Sequence, residues 1–362
     1  MRSPLGGLFR HVVDLVNGQI NRGHAVGIIA DSQSQGQHSD ALLGKLATLL
    51  PLGLSRVPMH RHLSLRDIAA VDHVGRRIHE TGADIVHGHG AKGGAFARLA
   101  ARGHPAIRVY TPHGGSLGTV NSAFYNLLER LLISRTDLLL FESAHIGELF
   151  RRKLGKSRAI MRVVHNGLAA SEFTETTLDP AASDILFIGE LRPVKGIDVL
   201  IDALSDLRRS GLPLTTTIVG DGGSRDALHE QAQRLGLSEA ITFRPPMPAR
   251  QAFPLGRLMI VPSRRESLPY IVLEAAAAGV PMIATKVGGI PEIFGPQAGC
   301  LIPAADPAAL AQAIGHAVKN PETMLRVAAG LRDRVRANFS VDAMVENAIA
   351  GYCEALQQRE LI

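Results

Sequence analysis

Two glutamates are separated by seven residues in Glu266-Ser267-Leu268-Pro269-Tyr270-Ile271-Val272-Leu273-Glu274, directly after the apolar run at 257–263. Pro269 then opens an apolar helix, so Glu266 falls in a strand-to-helix loop and Glu274 about two turns into the helix. The start of such a helix offers unpaired N–H groups and a positive dipole end, which suit a diphosphate. Proline cannot donate, so the amides of Tyr270 and Ile271 are the candidates. The bland alternative is an ordinary helix-start carboxylate followed by a solvated one.

A second motif, Gly189-Glu190-Leu191-Arg192-Pro193-Val194-Lys195-Gly196, follows the strand-like 184–188 and opens another helix. Lys195 and Arg192 on that turn suit an anionic leaving group, or are simply surface cations. Val219-Gly220-Asp221-Gly222-Gly223 resembles a dinucleotide fingerprint, but Arg225 stands where the third glycine would fall. Gly220 and Gly222 therefore suit close backbone approach in a strand-end turn. In the first half, Thr111-Pro112-His113-Gly114-Gly115 puts His113 at a strand end. His87 and His89 form an H-x-H pair without an evident third ligand, so a structural or polar role is expected rather than zinc. Asn166-Gly167 reads as a turn. No Asp-x-Asp occurs anywhere, so a diphosphate would be neutralised by Lys, Arg and helix dipoles rather than a bound metal.

These motifs need strand ends to hold them. Candidate strands are 24–30, 84–88, 107–111, 137–141 and 161–165, then 184–189, 214–219, 240–243, 257–262 and 281–285. Most are continuous apolar runs, as in parallel strands buried on both faces, and helical stretches separate them. The expected fold class is α/β, with two doubly wound domains. The expected boundaries are 1–170, a polar linker at 171–183, a second domain at 184–340 and a terminal helix at 341–362. At ~150 residues per domain, the 362-residue length also suggests two.

The front of the first domain breaks the pattern. Pro4-Leu5-Gly6-Gly7 looks like a strand-to-helix turn, and Leu8, His11, Val12, Leu15, Val16, Gln19 and Ile20 share one helical face. No strand precedes them, although in the usual order 3-2-1-4-5-6 the first strand is central. The expectation is a sheet with its first strand missing and a native chain that starts upstream of Met1.

Composition sets the remaining bounds. The apolar fraction is 46% and the charged fraction 20%, which argues against disorder. Two cysteines exclude a disulfide framework and a four-cysteine zinc site. Residues 1–175 carry 21 Lys and Arg against 13 Asp and Glu, a net of +8, and the remainder nets −2, which together give the overall +6. A basic half implies an anionic partner, and aromatics at 4% with no Trp make nucleic acid the weakest choice. With no long apolar window or signal-peptide core, a cytoplasmic protein is expected, peripheral on the inner face of the membrane.

The motifs taken in order — RGHAVGII, DIVHGHG, TPHGG, HNG, GELRPVKG, IVGDGG, VPSRRESLPYIVLEAAAAGVPMIAT and GGIPEIF — resemble the retaining glycosyltransferases of family 4, over nearly the whole chain. The resemblance implies the GT-B fold, two Rossmann-like domains with the nucleotide sugar between them, donor on the C-terminal side and acceptor on the N-terminal side. It implies that Lys195, with Arg192, neutralises the donor diphosphate. Glu266 would bind the transferred sugar, Glu274 the nucleotide ribose, and His113 the sugar from the other domain. Gly6, Gly7, Gly189 and Gly220 would let the backbone approach the donor. Family members often carry arginine immediately after the first glycine of GELRPVKG, where this chain has Glu190, and this departure bears on Arg192. The implied reaction is metal-independent transfer of a hexose, with retention, to a glycan or lipid-linked acceptor in polysaccharide or envelope glycan synthesis, with no cofactor beyond the donor itself. The competing readings are a sugar-nucleotide epimerase of the same architecture and a non-catalytic sugar-nucleotide-binding protein.

Overall fold

The computed structural model describes residues 1, 6–33, 37–60, 67–101, 103–113, 123–155 and 157–360, without the side chains of 37–39 and 123–125. The sequence expectation for Pro4 and Leu5 lies outside the described residues. The chain divides into two units: Met1–Gly167 with Val341–Ile362, and Leu168–Ser340.

Unit 1 runs α1 (Gly6–Ile20), β1 (Ile28–Asp31), α2 (Gln37–Ala47), β2 (Leu54–Val57), α3 (Asp67–Thr81), β3 (Ile85–His89), α4 (Gly90–Ala100), β4 (Ile107–Thr111), α5 (Ala123–Ile133), β5 (Leu138–Phe141), α6 (Ala144–Leu154) and β6 (Ile160–Val163). β1 and β2 pair in parallel, and β3-β4-β5-β6 form a separate four-stranded parallel sheet. The two sheets share no ladder among the described residues. A cavity of about 490 Å³ lies between them, lined by Ile28 and Ile29 of β1, Ile85 and Val86 of β3, and Val12, Leu15 and Val16 of α1. Met1 bridges to β1, its ammonium donating to the Ile29 carbonyl at 2.7 Å and its carbonyl accepting from the Asp31 amide at 3.1 Å.

Local chemistry sets the helix ends. Ser143 caps α6 by accepting the Ile146 N–H at 3.2 Å, Gly155 stops it at φ 83°, and Arg151, Arg152 and Lys153 sit on its negative dipole end. Strand β5, LLLF, is buried throughout. Inside unit 1, the last helix, α12 (Val341–Glu360 in chain order), lies on α1, β4 and β5. Gly18 of α1 leaves room for Val345, and Gly351 of α12 for Leu138 and Leu140.

Unit 2 runs β7 (Ser183–Ile188), α7 (Ile197–Arg209), β8 (Thr216–Val219), α8 (Arg225–Arg234), β9 (Ile241–Arg244), β10 (Gly256–Val261), α9 (Tyr270–Ala277), β11 (Met282–Ala284), α10 (Pro307–Lys319) and α11 (Pro321–Asn338), with short helices at Ala249–Ala252 and Ile290–Phe294. Its five parallel strands are ordered β11-β10-β7-β8-β9, so β7 is central and the topology reverses beside it. In such a sheet ligands bind at the carboxyl ends of the strands near the reversal. Apolar residues of α7 at 197, 199–201, 203, 204 and 207 are buried, with Asp198 in its first turn and Arg208 and Arg209 in its last.

Two expectations need adjusting. Strand β2 was not foreseen, because Ser and Arg interrupt its four residues and it is only half-buried. The stretch at 171–183 is not a free linker but is tied to unit 2. Arg250 donates to the Glu172 and Thr174 carbonyls, the Thr176 amide to the Ala278 carbonyl, and Glu175 pairs with Arg332.

Candidate donor site and histidine cluster

In unit 2, four strand-end loops are drawn together by glycines. Gly196, at φ 69°, ends the GELRPVKG turn, and a Cβ there would strike the Pro262 carbonyl. Gly220 lies equally close to the Gly189 carbonyl, and Gly288, at φ 56°, to that of Glu266. Backbone bonds complete the convergence: Gly189 N–H to Val219 O at 3.0 Å, Leu191 N–H to Asp221 O at 2.8 Å, Arg264 N–H to Val194 O at 2.8 Å, and Gly289 N–H to Ser267 O at 2.6 Å.

This convergence sets Lys195 beside Glu266. Lys195 Nζ donates to Glu266 Oε1 at 2.7 Å, and Ser263 Oγ donates to the same oxygen at 2.7 Å. The Lys195 side chain is 25% exposed and that of Glu266 10%, so the pair is partly withdrawn from water yet reachable. Behind it Arg264 Nη1 meets Asp198 Oδ1 at 2.7 Å and also donates to the Pro193 carbonyl, bracing the turn. Half-burial opposes ionisation of Asp198, but Arg264 outweighs it and holds the carboxyl below its usual range.

Tyr270 and Ile271 are the first residues of α9, behind Pro269, so their amides sit where the helix lacks its own acceptors. Glu274 is half-buried one turn into this eight-residue helix, a turn earlier than expected. Arg192 is not brought to the pair: it lies 3.3 Å from Glu190, and both are more than half exposed. The glutamate after Gly189 thus occupies the cation that the resemblance assigns to the diphosphate. Ser263 was missed, though it stands at the end of the apolar run, three residues before Glu266.

Unit 1 gathers a second polar group. His11 on α1, His87 and His89 on β3, and His113 just after β4 pack ring against ring, with centroids 3.9 Å apart for His87–His89 and 5.0 Å for His11–His113. His113 adopts a left-handed φ of 48°, a strained conformation of the kind that clusters at functional sites. Its Nδ1 is bound to Glu142, which follows β5, and its Nε2 lies 3.1 Å from His89 Nδ1. His11 Nδ1 lies 3.0 Å from Asn166 Oδ1. His87 is held between Thr111 Oγ1 and the Tyr352 hydroxyl of α12, each at 2.8 Å. Burial, then the neighbouring His113, push His11 down to about 4, against the opposing pull of Glu142 and Asn166. Burial and neighbouring histidines hold His87 and His89 well below the ordinary imidazole range.

The H-x-H pair is split: His87 is taken up by Thr111 and Tyr352, and His89 instead groups with two histidines from elsewhere in the unit. His11, His89 and His113 each bring a ring nitrogen within 4.8 Å of the others, a group that could hold a metal ion. Distance along the chain hid this, since α1, β3 and the turn after β4 supply one histidine each. Asn166, expected as a turn residue, is a buried partner of His11. Gly6 and Gly7 begin α1, Gly6 at φ 68° with open space around it.

Two doubly wound parallel units, one with its glycine-drawn Lys–Glu pair at the strand ends, define the GT-B class of glycosyltransferase folds. The family description "Glycosyl transferases group 1" matches residues 182–320 and "Glycosyltransferase Family 4" matches residues 5–172, and the chain belongs to this family. A glycogen synthase of Mycobacterium tuberculosis is 28% identical over 269 residues, covering 71% of this chain and 65% of its own length, just under two thirds. Sucrose-phosphate synthase from Thermosynechococcus elongatus superimposes with a TM-score of 0.82 at 19% identity, covering 99% of this chain and 95% of its own. Anabaena HepE in complex with UDP-glucose gives 0.79 at 20%, covering 98% and 96%.

Proposed function

We propose that the protein is a retaining glycosyltransferase that moves a hexose from a nucleotide-diphosphate sugar to a glycan or lipid-linked acceptor. Support comes from the family, from the UDP-glucose bound by the Anabaena relative, and above all from Lys195 held at 2.7 Å from Glu266 at the sheet reversal of unit 2. Breaking the anomeric bond builds positive charge on the sugar ring and negative charge on the leaving phosphate. Lys195 and the Tyr270 and Ile271 amides meet the phosphate charge. Glu266, fixed by Ser263, faces the sugar once the lysine turns to the diphosphate, and Glu274 takes the ribose hydroxyls. In a front-face path the departing phosphate deprotonates the acceptor, so a hydrolase-type carboxylate pair is not required. The basic N-terminal unit takes the acceptor on an anionic membrane surface.

A screen of UDP-, GDP- and ADP-sugars, reading nucleoside diphosphate release with candidate acceptors, tests this reading, and no release with any donor overturns it. Activity is expected to survive EDTA, because cations and amides neutralise the diphosphate. Complete loss, restored by Mn²⁺ or Mg²⁺, would contradict that path.

A further inference from the structure

Among the described side chains of α5 and the turn after it, most of those that face water are aliphatic or cationic. Leu127, Arg130, Leu131, Ser134 and Arg135 are exposed and fall at i, i+3, i+4, i+7 and i+8, one stripe along and just past the helix. The two leucines are 56% and 62% exposed, while Leu132 and Ile133 on the other side are buried. One exposed leucine is commonplace. Two on adjacent turns, flanked by arginines, form the pattern of a helix lying in a membrane interface.

The neighbouring helix extends the charge. Arg130 reaches the Lys153 carbonyl at 3.4 Å, which ties α5 to the basic last turn of α6 with Arg151, Arg152 and Lys153. Those with Arg130 and Arg135 are five cations. The acidic groups on these elements are otherwise engaged: Glu129 is buried in a bidentate pair with Arg98, Asp137 binds Arg108, and Glu148 alone serves both Arg151 and Arg152. No helix among the described residues is long and apolar enough to cross a membrane, so a helix that lies on the bilayer is the form of contact this face can make.

We propose that the α5–α6 face is the surface by which unit 1 docks on an anionic lipid bilayer, Leu127 and Leu131 entering the interface and the five cations meeting the headgroups. It rests on the membrane-side acceptor reading above, and the test separates the two.

The full chain is sedimented with vesicles of phosphatidylcholine alone and with vesicles of equal parts phosphatidylcholine and phosphatidylglycerol. Binding is expected on the anionic vesicles and should fade with salt. Leu127→Asp with Leu131→Asp should weaken it on the order of tenfold or more, and Arg130→Gln with Arg135→Gln by about fivefold per cation. Leu325→Asp, at an equally exposed leucine of α11 in unit 2, should leave it unchanged. Nucleotide release with a water-soluble acceptor should be the same in all these variants, so a failed donor screen and a failed docking face read differently. Equal partitioning onto both vesicle types, or full binding by the double aspartate variant, overturns the proposal. So does a concentration-dependent dimer that the aspartates abolish while the parent ignores vesicles.

Discussion

Lys195 has two partners in prospect, Glu266 in the structure and a diphosphate during turnover. Lys195→Ala is expected to lower turnover by about 10²–10³, comparable with removing one preorganised charge stabiliser. It should also lower stability by about 1–3 kcal/mol, since the Glu266 side chain is only 10% exposed and would lose its cation. Adding Glu266→Gln should restore much of that stability without restoring turnover, read by thermal melting beside nucleotide release. An unchanged kcat in a folded Lys195→Ala chain would sink the diphosphate role. The histidines carry a second prediction. His11, with a folded pKa of about 4 against 6.5 unfolded, stays neutral while the unfolded chain takes up its proton. The stability it contributes is therefore complete above pH 6.5 and lost as pH falls toward 4, amounting to ~2 kcal/mol at pH 5. His87 and His89 shift in the same direction. Unit 1 should melt lower at pH 5 than at pH 7.5, and His11→Gln should flatten that dependence; a pH-independent melt would count against the buried neutral cluster.

At the scale of elements, glycines decide whether the loops of unit 2 can close on Glu266. Gly288 and Gly236 share a left-handed φ, 56° and 69°, but only Gly288 faces a backbone carbonyl within clash distance. Gly236→Ala should lose about 1 kcal/mol from strain alone. Gly288→Ala should lose clearly more and weaken donor binding, because the carbonyl it displaces belongs to Glu266; equal losses in both would mean that the loop yields freely. Much of this architecture could be read from residues. Buried parallel strands such as LLLF announce themselves as unbroken apolar runs, and GELRPVKG and ESLPYIVLE mark the donor loops. The histidine cluster could not be read so. His11, His89 and His113 meet only because α1, β3 and β4 are neighbours in space, and one-dimensional spacing does not hold that information. The Arg192–Glu190 pair was not foreseen either, because two neighbouring exposed side chains of opposite charge choose their partner in solvent.

At the scale of the whole molecule, the described residues of unit 1 form two sheets where a doubly wound domain holds one. Between them lies a partly open cleft of about 490 Å³, mainly apolar but with Arg77, Asp84 and His87 also in its lining, and filling its apolar part should stabilise. A chain extended upstream of Met1 by about six Val, Ile and Leu residues, one strand's worth, is expected to melt several degrees higher. An extension of alternating Ser and Asp should not. Equal melting of the two would mean that the slot does not accept a strand.

The two units also differ in when they can exist. Unit 2 is one continuous stretch, Leu168–Ser340, but unit 1 needs Val341–Ile362, whose Tyr352 holds His87 and whose Arg359 hydrogen-bonds the Ala106 carbonyl. During synthesis at about 5–20 residues per second, the N-terminal half must therefore wait roughly ten to thirty-five seconds for its closing helix. Unit 2 can be finished before the first-made unit is. A premature stop only twenty residues from the end, beyond every donor-site residue, would strike the fold of the opposite terminus.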